Sequence, residues 1–308
     1  MNKQSKYSKI IKAEALNLGF DDCGISAVQY ITENTAFLTS WLEKGYNAGM
    51  KYLSTNLEKR ADPSKLVEGA KSVISVILNY YAEKQQKDPD APKISKYAYG
   101  KDYHRVVRAK LEKLLSFVCH LIPGTSGWAF VDSSPVFEKA WAQRSGLGWI
   151  GKNSLLLTPR FGSFVFIGEL IVTAQLTPDK PGTDRCGDCR KCIDACPSGA
   201  LVAEKILDAR KCISYHTIEK KRENDNPSPV SLANYFYGCD ICQNVCPWNQ
   251  HLTQHTVREF NPHKDLLTMS KENWLTLNEN RFNELFANTV VQRTGFERIK
   301  RNLGLLFP

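Results

Sequence analysis

Ten cysteines stand in the 308-residue chain, and eight of them fall between Cys186 and Cys246. The first run is Cys186-x2-Cys189-x2-Cys192-x3-Cys196-Pro197, the spacing of a loop that wraps a [4Fe–4S] cubane and sends its fourth thiolate to a second cluster. A second run, Cys239-x2-Cys242-x3-Cys246-Pro247, follows the same logic, with Cys212 upstream as a detached first ligand. Thiolates separated by two residues let one loop hold three corners of a cubane, and the proline then turns the chain away so that the next thiolate serves a neighbour. The pattern predicts one cluster on Cys186, Cys189, Cys192 and Cys246 and another on Cys196, Cys212, Cys239 and Cys242. Paired zinc sites are the alternative, but their knuckles rarely crowd three thiolates into seven residues. Two such clusters pass electrons singly and offer no group-transfer chemistry, so the reaction centre must lie elsewhere. Cys23 has no partner set, and Cys119, beside Val118 and Leu121, reads as a small buried apolar residue.

The chain before this module has no GxGxxG after a strand, no GxxxxGK[ST] and no histidine–carboxylate metal triad at recognisable spacing. Asp132 directly follows the extended stretch Trp128 to Val131 and precedes Ser133-Ser134-Pro135. A carboxylate at a strand's carboxyl end either faces a site or serves as a turn or capping residue. Gly148-Trp149-Ile150-Gly151-Lys152-Asn153-Ser154 reads as a tight turn between helix and strand.

The elements that must carry these residues follow from periodicity. Tyr7 to Leu18 reads as a helix closed by Gly19, and Phe37 to Lys44 as another closed by Gly45. Ser72 to Tyr80 is β-branched and nearly all apolar, as in a central strand buried on both faces. Asp102 is a good N-cap for a helix whose stripe runs from Val106 to Leu121 before Pro123-Gly124. Trp128 to Val131 reads as a strand, Val136 to Arg144 as a helix and Phe164 to Val172 as a long strand. The alternation favours a layered α/β or α+β domain over residues 1–178, followed by a loop-rich cluster module over 179–250 and a short C-terminal helical segment over 251–308.

Composition narrows the class. Hydrophobic residues make up 42% and charged residues 24%, as in a globular protein, and no segment approaches the apolar run of about 18 residues that spans a bilayer. The first residues are not followed by the apolar stretch of a secretion signal, which predicts a cytoplasmic protein with reduced thiols. The net charge of +9 falls to about +5 once two clusters with eight thiolates contribute about −4. That balance suits a polyanionic partner, although a basic enzyme without one would have it too.

The motifs, taken together, resemble epoxyqueuosine reductases. They are Gly49-Met50-x-Tyr52, Arg60-x-Asp62-Pro63, Tyr99-Gly100-x-Asp102-Tyr103-His104, Asp132-Ser133-Ser134-Pro135, Glu138-Lys139, Gly146 to Ser154, Phe161-Gly162-Ser163, the eight cysteines, and Cys212-Ile213-Ser214-Tyr215 with Thr217-Ile218-Glu219. They cover the chain from about residue 8 to 260. The resemblance implies an α+β protein: a cobalamin-binding domain related to flavin-reductase-like folds, then a ferredoxin-like domain with two [4Fe–4S] clusters. It further implies removal of the epoxide oxygen of epoxyqueuosine, giving queuosine at the wobble position of tRNA, with an electron donor of unidentified kind and a monomeric enzyme. Asp132 is implied as proton donor, and Arg60, Asp132, Asn153, Ser154 and Ser214 as cobalamin contacts. Tyr103 and His104 are expected near the same cavity, or His104 to face solvent. Two departures are expected: the chain ends at Pro308, where family members often continue into a helical-repeat domain that helps hold tRNA, and His216 replaces an apolar residue.

For Asp132 to donate a proton near pH 7, its pKa would have to rise by about three units, a differential cost of about 4 kcal/mol that burial against a corrin would supply. Lys220-Lys221-Arg222 and the segment Arg293 to Arg301 are candidate phosphate contacts. The rival readings are another corrinoid iron–sulfur reductase, such as a reductive dehalogenase, and a non-catalytic ferredoxin-type electron carrier. The first would bind cobalamin but ignore the tRNA; the second would hold clusters and no corrinoid.

Overall fold

The computed structural model describes residues 3–221 and 231–307. The first half of the chain runs α1 (Lys3–Asn17), β1 (Asp22–Ala27), α2 (Thr32–Glu43), α3 (Leu57–Ala61), β2 (Ser72–Asn79), β3 (Lys93–Ile94) and α4 (Tyr103–Leu121). It continues through β4 (Gly127–Phe130), α5 (Glu138–Arg144), β5 (Trp149–Ile150), β6 (Leu156–Leu157) and β7 (Val165–Val172). The apolar run of β2 is buried at all eight positions and lies inside a four-stranded sheet of order β1-β2-β7-β4. Every pairing in that sheet is antiparallel, so the alternating helices and strands build an α+β layer rather than a parallel α/β sheet.

Strand periodicity divides the sheet into two faces. Ile74, Val76 and Leu78 pack with Leu170 and Val172 against Ile11 and Ala15 of α1 and Val107, Leu111 and Leu114 of α4. On the other face Val73 and Ile171 pack on Trp141 of α5. Ser75 and Glu169 face each other in register on β2 and β7; the Ser75 hydroxyl donates to Glu169 Oε2 at 2.7 Å. Burial holds the Glu169 carboxyl well above the usual range, so the sheet centre carries a neutral acid. The expected turn at Gly148 to Ser154 is a small hairpin, β5 pairing antiparallel with β6. Gly148 has no alternative there, since a Cβ would stand 2.0 Å from the Leu157 carbonyl oxygen.

The cysteine module contains α6 (Lys191–Asp194), the hairpin β8 (Leu201–Ala203) and β9 (Ile206–Leu207), β10 (Tyr235–Tyr237) and α7 (Ile241–Asn244). Two buried polar clusters tie it to the preceding layer. Asp240 accepts from the Ser95 hydroxyl and, at 2.8 Å, from Lys96 N–H. Asn249 Oδ1 accepts from Ser163 N–H at 2.8 Å, and Ser163 Oγ donates to Gln243 at 2.9 Å. Gly162, at φ 55, lets the chain pass Asn249, because a Cβ would sit 1.8 Å from Asn249 Oδ1. Strand β10 adds in parallel to β3.

The C-terminal segment holds α8 (Lys271–Leu275), α9 (Glu279–Leu285), α10 (Val290–Thr294) and α11 (Phe296–Leu306). Trp274, Phe282, Phe286, Ile299 and Leu303 form a second core with Phe236, Tyr237, Ile94 and Ala98. The fully buried Asn302 donates from Nδ2 to the carbonyls of Thr217 (2.8 Å) and Phe236 (2.9 Å). Arg298 donates to the Ile218 carbonyl at 2.7 Å, and Arg301 to those of Lys220 and His216. These two arginines, expected as phosphate contacts, are committed to the segment that follows Cys212 because its π-helical turn leaves carbonyls that need donors. Arg222, of the other expected patch, lies outside the described residues. Asn302→Ala would strand two buried carbonyls and is expected to cost about 2–4 kcal/mol. The check is thermal denaturation of the purified protein, with a melting temperature lower by roughly 5 °C or more.

Candidate active site and cluster sites

Asp102 begins the site. As N-cap of α4 it accepts from His104 N–H at 2.9 Å, which places Tyr103 and His104 in the first helical turn. The Tyr103 ring stacks on Phe166 of β7, centroids 4.1 Å apart and nearly parallel at 3°, and on its neighbour His104 at 4.1 Å. Asp132 leaves β4 with φ 55, a left-handed conformation that aspartate tolerates better than most residues. Its Oδ2 accepts from the Tyr103 hydroxyl at 2.7 Å and lies 3.2 Å from His104 Nε2. Its backbone N–H donates to Glu138 Oε1 at 2.5 Å. His104 therefore faces Asp132 rather than solvent, and its side chain is 18% exposed.

These contacts overturn the expected electrostatics of Asp132. Its side chain is 57% exposed; the atoms packed around it push its pKa up, but the hydrogen bonds from His104 and Tyr103 outweigh that and hold it below the usual value. The carboxylate is ionised at neutral pH before any ligand enters. The protonated groups stand around it. Burial disfavours the His104 imidazolium, yet its hydrogen bonds to Asp132 and Asp102 raise its pKa. Burial, and then the Asp132 charge, push Glu138 up to about 8. Desolvation by the atoms packed around it lowers Lys139, whose ammonium donates to the Ser154 carbonyl at 2.7 Å.

A cavity of about 360 Å³ adjoins this group. Its lining includes Lys139, Asn153, Tyr97 and Ser214 together with Cys196, Cys212, Cys239 and Cys242. A separate hollow of about 40 Å³ is lined by Cys186, Cys189, Cys192 and Cys246. Asn153 lines both. The eight thiols thus group in space as four and four. Trp149 Nε1–H donates to Cys186 Sγ at 3.4 Å, and Ala200 N–H to Cys196 Sγ at 3.3 Å. Burial, then repulsion from neighbouring thiols, pushes Cys239 up to about 12 and Cys242 well above an ordinary thiol. Thiolates so crowded need a cationic core between them, and two cubanes supply it. Cys23 is buried in the sheet core and belongs to neither group.

Hydrogen-bonding capacity is left unused on the cavity wall and near it. Asn153 Nδ2, which lines the larger cavity, and Arg60 Nε and Ser154 Oγ, which lie outside its lining, are buried with no partner among the described residues. The carboxylates beside Arg60 are engaged elsewhere: Glu58 pairs with Lys65 at 2.5 Å, and Asp62 accepts from Ser64. A large ligand carrying peripheral amides fits such a wall, because orphaned buried donors and acceptors are otherwise costly. His216 turns its Nε2 to the Arg210 carbonyl at 2.8 Å, outside the cavity lining. Sequence reasoning missed Glu138 as the acceptor for Asp132 N–H; only the bend of the chain after β4 brings the two together.

A family model described as "Epoxyqueuosine reductase QueG, DUF1730" matches residues 60–133, and one described as "4Fe-4S double cluster binding domain" matches residues 185–249. The epoxyqueuosine reductase of Cellulophaga algicola is 49% identical over 306 residues, 99% of this chain and 100% of that protein. The chain belongs to the epoxyqueuosine reductase family. Its members are oxidoreductases, and the double-cluster domain falls on the cysteine module. Among solved epoxyqueuosine reductases, one bound to an epoxyqueuosine-modified tRNA-Tyr stem loop superposes with a TM-score of 0.86 at 31% identity. It is matched over 98% of this chain and 80% of its own. One from Bacillus subtilis, with its catalytic aspartate loop swung out of the active site, superposes at 0.85 and 30% identity, over 98% of this chain and 81% of its own.

Proposed function

We propose that this chain reduces epoxyqueuosine to queuosine at the wobble position of tRNA, with cobalamin in the 360 Å³ cavity and one [4Fe–4S] cluster on each set of four cysteines. The observation that carries the reading is a shared cavity: four thiols of one cluster line it together with the unpartnered Asn153 and with Lys139, near the hydrogen-bonded Asp132. In this reading residues 1–178 are a cobalamin-binding domain related to flavin-reductase-like folds, 179–250 a ferredoxin-like domain and 251–308 a helical closure, in a monomeric cytoplasmic enzyme. A carrier protein needs no such cavity, and a dehalogenase needs no tRNA. No helix among the described residues is long and apolar enough to cross a membrane.

The cofactors supply single electrons and a strongly reducing, nucleophilic metal; the remaining work belongs to side chains. Arg60, Asn153, Ser154 and Ser214 hold the corrinoid's polar periphery. Asp132 delivers a proton to the epoxide oxygen. It starts ionised, and filling the cavity removes water from its surroundings, which strengthens the burial effect that already pushes its pKa upward. Tyr103 holds the carboxylate in place through its hydroxyl, and Glu138 holds the loop through Asp132 N–H.

The test is anaerobic reconstitution with iron, sulfide and cobalamin, then nucleoside analysis of epoxyqueuosine-containing tRNA after a one-electron reductant is added. Queuosine should form only when both cofactors are present; zinc in place of iron, or no corrinoid uptake, would overturn the reading. Asn153→Ala and Ser154→Ala should each weaken cobalamin binding by about three- to tenfold, the worth of one hydrogen bond. Absorbance titration of the cluster-loaded protein measures this, and iron content should stay unchanged.

A further inference from the structure

We infer that Asp102, His104 and Asp132 form a proton relay in which His104 reloads Asp132, so that both protons the reaction consumes pass through one carboxylate. The inference rests on the reaction proposed above. Converting an epoxide to an alkene breaks both C–O bonds and takes up two electrons and two protons; the electrons arrive singly from an external one-electron donor, and both protons end on the oxygen that leaves as water. Asp132 carries one proton at a time. A second must reach it before the cycle closes.

The geometry supplies that route. Asp102 Oδ1 lies 2.7 Å from His104 Nδ1, and His104 Nε2 lies 3.2 Å from Asp132 Oδ2. The imidazole thus bridges two carboxylates, each on a different nitrogen. Asp102 keeps Nδ1 protonated, which leaves Nε2 as the nitrogen that exchanges its proton with Asp132. His104 Nε2–H gives its proton to Asp132 Oδ2, Asp132 passes it to the oxygen, and the ring regains one from water. The groups facing the ring are Asp102, Asp132, Tyr103 and Glu138, with Arg293 acting on Asp132. The two carboxylates outweigh burial and favour the imidazolium, so the relay stays loaded to higher pH than an ordinary histidine would and empties as pH rises through the raised His104 pKa. His104 and Asp102 act through Asp132 and are positioning residues.

Asp102 also caps α4 with the same oxygen, and that double use makes the relay testable. Asn caps a helix as well as Asp does, so Asp102→Asn retains the cap and removes only the charge. The experiment uses the full chain loaded with both clusters and cobalamin, an epoxyqueuosine-containing stem loop and a viologen as donor. Turnover is followed from pH 6 to 9, and His104 is titrated by nitrogen-15 NMR in the same variants. Asp102→Asn should move the alkaline limb of kcat down by about one pH unit, the effect of losing one adjacent charge, with a matching fall in the His104 pKa and KM within about twofold. His104→Gln should abolish that limb and leave a slow, flat profile. An alkaline limb or a His104 titration unmoved by Asp102→Asn overturns the relay while the reaction stands. A wild type that leaves epoxyqueuosine intact at every pH, though fully loaded, overturns the reaction and the relay with it.

Discussion

Asp132→Asn is expected to lower the rate of queuosine formation by about 10²- to 10⁴-fold, the usual worth of a positioned proton donor. The substitution isolates the proton from the geometry. Asparagine is at home at φ 55, and its carbonyl oxygen can still accept from the Tyr103 hydroxyl, so the loop after β4 keeps its shape. What disappears is the O–H that would reach the substrate oxygen, and with it the charge that raises the His104 pKa. Cluster content, cobalamin uptake and stem-loop affinity should remain near wild type. Single-turnover nucleoside analysis is the measurement, and a rate within threefold of wild type would end the case for Asp132 as donor. Asp132→Ala should be no faster, and it should bind the stem loop less uniformly, because alanine resists the left-handed backbone and has nothing to offer Tyr103 or His104.

Replacing Cys242 with Ser is expected to abolish turnover and remove one cluster of the two. Its thiol is held far above its ordinary pKa by burial and by Cys239 and Cys212, so it gives up its proton only to a metal core that absorbs the charge. Iron should fall from about eight to about four atoms per chain. The electron paramagnetic resonance signal of the remaining cluster, on Cys186, Cys189, Cys192 and Cys246, should persist. Cys189→Ser should do the converse: lose the outer cluster, keep the one that lines the cavity, and stay reducible by small viologens while failing with a protein donor. If both variants lost all iron, the two sets would be one cooperative site; if both kept eight, the assignment of ligands would be wrong.

The cap at Asp102, the long helix that follows it and the buried strand β2 are readable because each depends on neighbours within a few residues. The cysteine runs with spacing of two and three residues are of the same kind, although which run supplies the fourth thiol of each set depends on positions tens of residues apart. Small errors at element ends have local causes: α5 begins at Glu138 rather than Val136, because Ser133 to Phe137 are occupied in turning the chain back toward Asp132. Arg298 and Arg301 show where composition misleads. A basic stretch predicts a charged surface, but the carbonyls of His216, Ile218 and Lys220 lie nearby only after folding, and they accept from both side chains.

The sequence by itself determined the iron–sulfur chemistry and the family, both carried by residue type and short-range spacing. Tertiary structure alone decided the antiparallel order of the sheet, the second core built by the C-terminal helices, and the protonation of the site. The reason is the range of the forces. Spacing along a chain is set by covalent geometry, whereas the charge on Asp132 depends on Tyr103 and His104, which reach it from another element across a gap of 28 or 29 residues in sequence and about 3 Å in space.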